Sequence, residues 1–285
     1  MEIYIGSGTS LNYSPDLKLN VLESFFAIRK KDLKIDKNFV KKFFLDSGAF
    51  SAYTQKKYIN LDSYIDYIKR HSNIIDYYAN LDEIYNAEKS AENLAKMEAE
   101  GLKPIPVYHY GEKFDIFKKM VEKYNHIALG GMVPISTQNL IPWLDDCFEY
   151  ICKDGKTEKK IHGFGMTTLS LMKRYPWFSV DSISPILTAA MGGIYNEQGQ
   201  VVSVARKKHI PLITKLSLGD IGTESWIPLT NIKQNPFIGN FSYDEIRYKY
   251  KIRIIINLRY IMNLEKELTE NSPVFNNCQK RLLFL

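Results

Sequence analysis

The feature that most constrains this chain is an alternation. A short apolar, β-rich run is followed by a longer amphipathic stretch, again and again along the 285 residues. The runs are 3–6, 43–46, 75–82, 104–109, 126–131, 160–165 and 178–183, with 212–218 as a candidate eighth. Runs this short and this apolar suit strands covered on both faces. The stretches between them carry helical marks. Leu61, Tyr64, Ile65 and Ile68 repeat at i, i+3, i+4, i+7, and 86–100 is rich in Ala, Glu, Lys and Leu and stops at Gly101. Strand and helix in alternation imply a parallel sheet, and seven or eight strands predict a closed (β/α)8 TIM-like barrel. An open doubly wound sheet would carry a glycine fingerprint after its first strand. Gly6-Ser7-Gly8 is only a fragment of one.

The pattern changes after Asp181. Residues 192–195 and 201–204 flank Asn196-Glu197-Gln198-Gly199, which predicts a β-hairpin inserted after a barrel strand. Ser242 followed by Glu245 is a capping box that opens one long helix reaching about residue 269. The whole chain, 1–285, reads as a single domain, with 241–285 as a basic helical extension packed on the barrel. No run of about 18 apolar residues is present, so no membrane span is expected. The first residues read as a strand, not as a signal peptide. Cys147, Cys152 and Cys278 are too scattered for a disulfide framework or a zinc site, and a reducing, cytoplasmic compartment follows. The net charge is +6. Arg206, Lys207, Lys208, Arg247, Lys251 and Arg253, interleaved with tyrosines, are the candidate contacts to a polyanion such as a nucleic acid.

Three strand ends carry acids: Phe43-Phe44-Leu45 runs into Asp46, 77–81 into Asp82, and 177–180 into Asp181. A barrel enzyme gathers its chemistry at the C-terminal ends of its strands, so these carboxylates are expected in one mouth. There a carboxylate serves as nucleophile, general acid or base, or acceptor for a substrate N–H; otherwise it caps the next helix. Gly130-Gly131 and Gly163 with Gly165 also end strands, where a missing Cβ lets a flat ligand approach or merely eases a turn. His109 and His162 with Asp181 form an alternative, the ligand set of a metal-dependent barrel hydrolase. No serine elbow or phosphate loop is present.

In this order the motifs resemble the tRNA-guanine transglycosylase superfamily over roughly residues 43–204. Asp46-Ser47-Gly48-Ala49-Phe50 is similar to the family's Asp-Ser-Gly-Gly-Phe, and Leu81-Asp82-Glu83 to its Phe-Asp-Glu. Tyr108-His109-Tyr110-Gly111 loosely matches Val-Gln-Gly-Gly, and Gly130-Gly131-Met132 matches Gly-Gly-Leu. His162-Gly163-Phe164-Gly165 is similar to Met-Gly-Val-Gly, and Val180-Asp181-Ser182 to the nucleophile strand Phe-Asp-Cys. The glycine-rich hairpin that follows is similar to 190–204. The resemblance implies that Asp181 attacks C1′ of a guanosine and that Asp46 handles protons. Asp82 would read the base edge, with Ser47, Gly48, His109, Gly130, Gly131, Gly163 and Gly165 around the base. The family's cysteine-rich zinc site after the hairpin has no counterpart, since only Cys278 lies beyond residue 152. The chain thus looks most like the zinc-free DpdA-type branch of phages and genomic islands, which places 7-deazaguanines in DNA. Implied are a DNA partner, a preQ0-like free base, no cofactor, no membrane and a cytoplasmic setting, the host's if phage-encoded. A tRNA substrate is the nearest alternative, and a non-catalytic nucleic-acid binder another.

Overall fold

The computed structural model describes residues 1–7, 16–31, 33, 35–204 and 235–276. Eight parallel strands form one sheet: β1 (Glu2–Gly6), β2 (Leu19–Ser24), β3 (Val40–Asp46), β4 (Tyr77–Tyr78), β5 (Val107–His109), β6 (His126–Gly130), β7 (Lys160–Gly163) and β8 (Ser179–Ser182). Their order is β4-β3-β2-β1-β8-β7-β6-β5. The two edges then meet, because Ala79 and Ile105 form a parallel bridge. Asn80 N–H donates to the Ile105 carbonyl and Ile105 N–H to the Tyr78 carbonyl, each at 2.9 Å. The strands therefore close into a TIM-like barrel.

Outside the ring lie α1 (Phe25–Ile28), α2 (Ala49–Thr54), α3 (Leu61–Arg70), α4 (Ala87–Ala99), α5 (Phe114–Lys123), α6 (Thr137–Ile151), α7 (Leu169–Arg174) and α8 (Ser184–Ala190). The period-2 alternation of strands sorts the core into two buried layers. Tyr4, Leu22, Phe44, Ala79, Ile105, Val107 and Ala128 fill the interior. Their neighbours Ile5, Val21, Phe43, Leu45, Ile127 and Val180 pack outward with helix residues such as Tyr64, Phe117 and Phe148. Asn60, Asn86 and Ser136 each accept a backbone N–H at a helix start, which fixes where α3, α4 and α6 begin.

One strand was not legible. The eighth member of the ring is β2, whereas 212–218 lies outside the described residues. In β2 the run Leu-Asn-Val-Leu-Glu-Ser is broken by two polar residues, and both are buried. Asn20 is buried because its amide donates to Glu265 (2.9 Å).

The hairpin is present as β9 (Gly193–Tyr195) paired antiparallel with β10 (Val201–Ser203). The expected single C-terminal helix is two: α9 (Tyr243–Tyr248), opened by the Ser242–Glu245 capping box, and α10 (Tyr250–Glu270). Lys249 between them is extended. The cause is Arg253, whose guanidinium donates to the carbonyls of Ile246 (3.0 Å) and Arg247 (3.1 Å). These are groups that a continuous helix would satisfy with its own backbone. A third donation reaches the Ala189 carbonyl (2.8 Å).

Arg253 is only 2% exposed, so it is a packing residue and not a nucleic-acid contact. Tyr260 is buried too, and Arg259 pairs with Asp16 (3.0 Å). The expected basic, tyrosine-rich face is therefore interrupted. Arg247 lies between the rings of Tyr243 and Tyr248, and Lys251 is exposed, while Arg206, Lys207 and Lys208 lie outside the described residues. α10 packs on α8, β9 and β1, and Glu265 accepts the Ile3 N–H (3.0 Å). It thus covers the barrel wall beside β1. Among the described residues no helix is long and apolar enough to cross a membrane.

Candidate active site at the barrel mouth

Strand parity decides what reaches the mouth. Two residues beyond interior Phe44 comes Asp46; two beyond Val107 comes His109; two beyond Ala128 comes Gly130. Asp181 likewise follows Ser179, whose hydroxyl meets interior His162 (2.8 Å). Asp82 arrives from the turn after β4, which the bridge at Ala79 and the hydrogen bond from Asn80 hold against β5. The three carboxylates expected at one end of the barrel converge there. The charges of Asp82 and Asp181 both act on Asp46.

Each acid has a distinct setting. Asp46 accepts the N–H of Gly48 (3.0 Å), a residue held at φ +81. A side chain at position 48 would also strike Ser24 Oγ and Phe26 Cβ. Burial, then the negative charges of Asp82 and Asp181, push the Asp46 carboxyl up to about 8; the N–H groups of Gly48 and Ser47 only partly offset this. It therefore carries a proton at neutral pH. Asp181 accepts the N–H of Gly165 at Oδ1 (2.8 Å), and His162 Nε2 stands 3.4 Å from the same oxygen. That approach lacks hydrogen-bond geometry, and among the described residues Nε2 has no hydrogen-bond partner. Both contacts fall on Oδ1, and Oδ2 is left without a hydrogen bond among the described residues. Asp82 accepts from Ser47 Oγ at Oδ1 (2.8 Å) and meets His109 Nε2 at Oδ2 (2.9 Å).

Behind Asp82 lies a group that sequence reasoning missed. Glu112 accepts the His109 N–H (3.1 Å) with one oxygen and meets His109 Nδ1 (3.2 Å) with the other. The intervening Gly111, at φ +88, turns the chain back to allow it. Burial works against a charged imidazole here, yet hydrogen bonds to Asp82 and Glu112 outweigh it and raise His109 to about 9. The signal in the sequence was a carboxylate three residues after the histidine, with glycine between them.

Several expected contacts prove to be supports. Ser47 is fully buried and its hydroxyl is spent on Asp82 and on the N–H of Ala49 (3.2 Å). His109 has both ring nitrogens engaged by carboxylates. The space beside Gly130 is filled by Val107 Cγ1 (2.9 Å) and His109 Cδ2 (3.0 Å), and that beside Gly163 by the Trp177 ring (2.9 Å). Those glycines admit the protein's own side chains, not a flat ligand. Gly163 faces the outer core, and it drops out of the site. Gly131 (φ +69) and Gly165 (φ +64) serve as left-handed turns, and Gly165 adds its N–H to Asp181.

The alternative set His109, His162 and Asp181 is not brought together. His162 stands by Asp181, and His109 is held between Asp82 and Glu112. Among the described residues no group of three or more His, Cys, Asp or Glu is placed to hold a metal ion. A surface cavity of about 390 Å³ lies elsewhere, lined by Glu149, Cys152, Asp154, Gly155, Val274, Phe275 and Asn276, and includes none of the three acids.

No protein-family model matches this chain, and no curated protein matches it.

Proposed function

We propose that the mouth is the active site of a base-exchanging transglycosylase that replaces guanine in DNA with a 7-deazaguanine. The observation that carries this reading is the unequal pair: Asp46, held protonated at neutral pH, shares one mouth with Asp181, whose Oδ1 is fixed and whose Oδ2 is open. Environments that split two carboxylates this way assign one to proton transfer and the other to attack.

In the first displacement, Asp181 Oδ2 bonds to C1′ of the target nucleotide and the C1′–N9 bond breaks. The bonding pair leaves with guanine, and Asp46 delivers its proton to a ring nitrogen of that base. In the second, Asp46, now a carboxylate, takes the N9 proton of the incoming 7-deazaguanine. N9 then bonds to C1′ and displaces the Asp181 carboxylate. Asp46 ends protonated, as it began. Asp82, with one lone pair of each oxygen already engaged by Ser47 and His109, accepts the N1–H and 2-amino group of either base with those remaining. His109 Nε2 at 2.9 Å holds that carboxylate in place for this recognition. The target nucleotide must leave its stack, because C1′ attack from within a barrel mouth needs the base extruded or the strand single.

Incorporation of a labelled 7-deazaguanine into DNA and into tRNA, read by nucleoside mass spectrometry, tests the reaction and the polymer together. Label in DNA with the wild type, and none with a folded Asp181→Ala variant, is expected. Label carried only into tRNA would reassign the polymer, and full exchange by Asp181→Ala would overturn the mechanism.

A further inference from the structure

Beside the mouth, on the β3–β4 side, the protein exposes aromatic rings that its own core does not use. Phe50 and Tyr53 lie one helical turn apart on α2, four and seven residues beyond Asp46, and are 51% and 52% exposed. Tyr85, three residues beyond Asp82, is 86% exposed. Tyr53 and Tyr85 touch edge to face, with centroids 5.7 Å apart and planes at 75°. That arrangement leaves ring faces open to solvent. Tyr85 also sits at φ +62, where a bulky side chain is strained, and its exposure shows that no burial offsets that strain.

Positive charge accompanies the rings. Lys56 and Lys57 follow Tyr53 closely, and both are exposed. The Lys57 ammonium and the Arg29 guanidinium each lie over the ring of Phe26, 6.0 and 4.1 Å from its centroid, and Phe26 lies against Gly48 in the Asp46 turn. The Lys57 ammonium donates to the Gln55 side chain, and among the described residues none of Arg29, Lys56 and Lys57 pairs with a carboxylate.

We infer that this rim is the path of a single nucleic-acid strand, with bases stacked on Tyr53, Tyr85 and Phe50 and phosphates held by Arg29, Lys56 and Lys57. Open aromatic faces next to unpaired cations are what an unpaired strand needs, because each base offers a π-face and each link a negative charge. A protein partner would ask instead for a continuous apolar core emptied of lysine. The choice of DNA as the strand rests on the transglycosylase reading; the rim as a single-strand surface rests on exposure and charge.

The test is fluorescence anisotropy with a labelled single-stranded oligodeoxynucleotide and its duplex across a salt series, using the full chain. The double variant Y53S/Y85S, with circular dichroism showing an unchanged fold, should bind the single strand at least about tenfold more weakly at the same salt slope. The variant K56Q/K57Q should lower the slope of log K against log salt by roughly 0.7 for each phosphate no longer neutralised. Unchanged single-strand affinity in Y53S/Y85S, or no single-strand binding by the wild type, overturns the inference. So does a wild-type dimer, seen by light scattering, that the same double variant dissolves, since the rim would then join two copies. Nucleoside mass spectrometry on the same proteins separates the two claims. Rim-dependent binding without base exchange refutes the catalytic reading alone, and base exchange with rim-independent binding refutes the rim alone.

Discussion

Replacing Asp46 by asparagine removes the one carboxyl whose proton affinity folding changes most usefully. The folded protein holds that proton up to about pH 8, whereas an ordinary aspartate releases it near 3.8. The folded state therefore binds more protons than the unfolded chain between those values, and stability must fall as pH rises through them. The contribution is complete below about pH 4 and lost above about pH 8. Between pH 5 and pH 8 it declines by roughly 3.5 kcal/mol, at 1.36 kcal/mol per pKa unit and less steeply close to pH 8. Asparagine keeps the shape and never ionises, so the variant lacks this decline. His109, raised to about 9, adds a loss of the same sign, stabilising fully below about 6.5 and fading as pH passes 9, but it is common to both proteins. The difference between them isolates Asp46. Chemical denaturation at both pH values should show Asp46→Asn gaining about 3.5 kcal/mol on the wild type from pH 5 to pH 8. Thermal melts should show a relative gain of roughly 6–8 °C. Parallel pH dependences for the two proteins would refute the protonated Asp46 and, with it, the proton donor of the proposed reaction.

Three further outcomes follow from the same contacts. Glu112→Gln removes one of the two carboxylates facing His109, so the imidazole pKa, followed by NMR, should fall from about 9 by roughly a unit or more; an unchanged value would deny Glu112 its part. Gly163→Ala places a methyl 2.9 Å from the Trp177 ring and should cost about 1–3 kcal/mol in a denaturant titration, a loss that a ligand-facing glycine would not show. Arg253→Met leaves the carbonyls of Ile246, Arg247 and Ala189 without their donor, which should lower stability by about 2–4 kcal/mol and leave the salt slope of oligonucleotide binding unchanged.

Much of the site was legible because strand ends carry their own signal. A run such as Phe43-Phe44-Leu45 is driven into the wall by its apolar residues, and whatever follows at the next inward position must face the mouth. Asp46 and Asp181 were found in this way. The partners were not, because they depend on turns and on packing between segments distant in sequence. Nothing in the residues near Ser47 says that its hydroxyl will hold Asp82, 35 positions away. His162 reads as a metal-ligand candidate until the fold seats it between Ser179 and Asp181. Gly163 and Gly165 look alike in sequence, yet one faces Trp177 and the other gives its N–H to the proposed nucleophile.

By itself the sequence determined the alternation of strand and helix, the closed parallel barrel that this alternation favours, and the three acids at its strand ends, because apolar period and chain length are local properties. Only the tertiary structure decided that β2, with its buried Asn20 and Glu23, completes the ring, and that Arg253 is an internal clamp and not a surface charge. Only it set the acids apart, holding a proton on Asp46, fixing Asp181 through the N–H of Gly165, and pairing Asp82 with His109. Proton affinity and orientation arise from desolvation and from neighbours brought together across the barrel, and no stretch of sequence contains them.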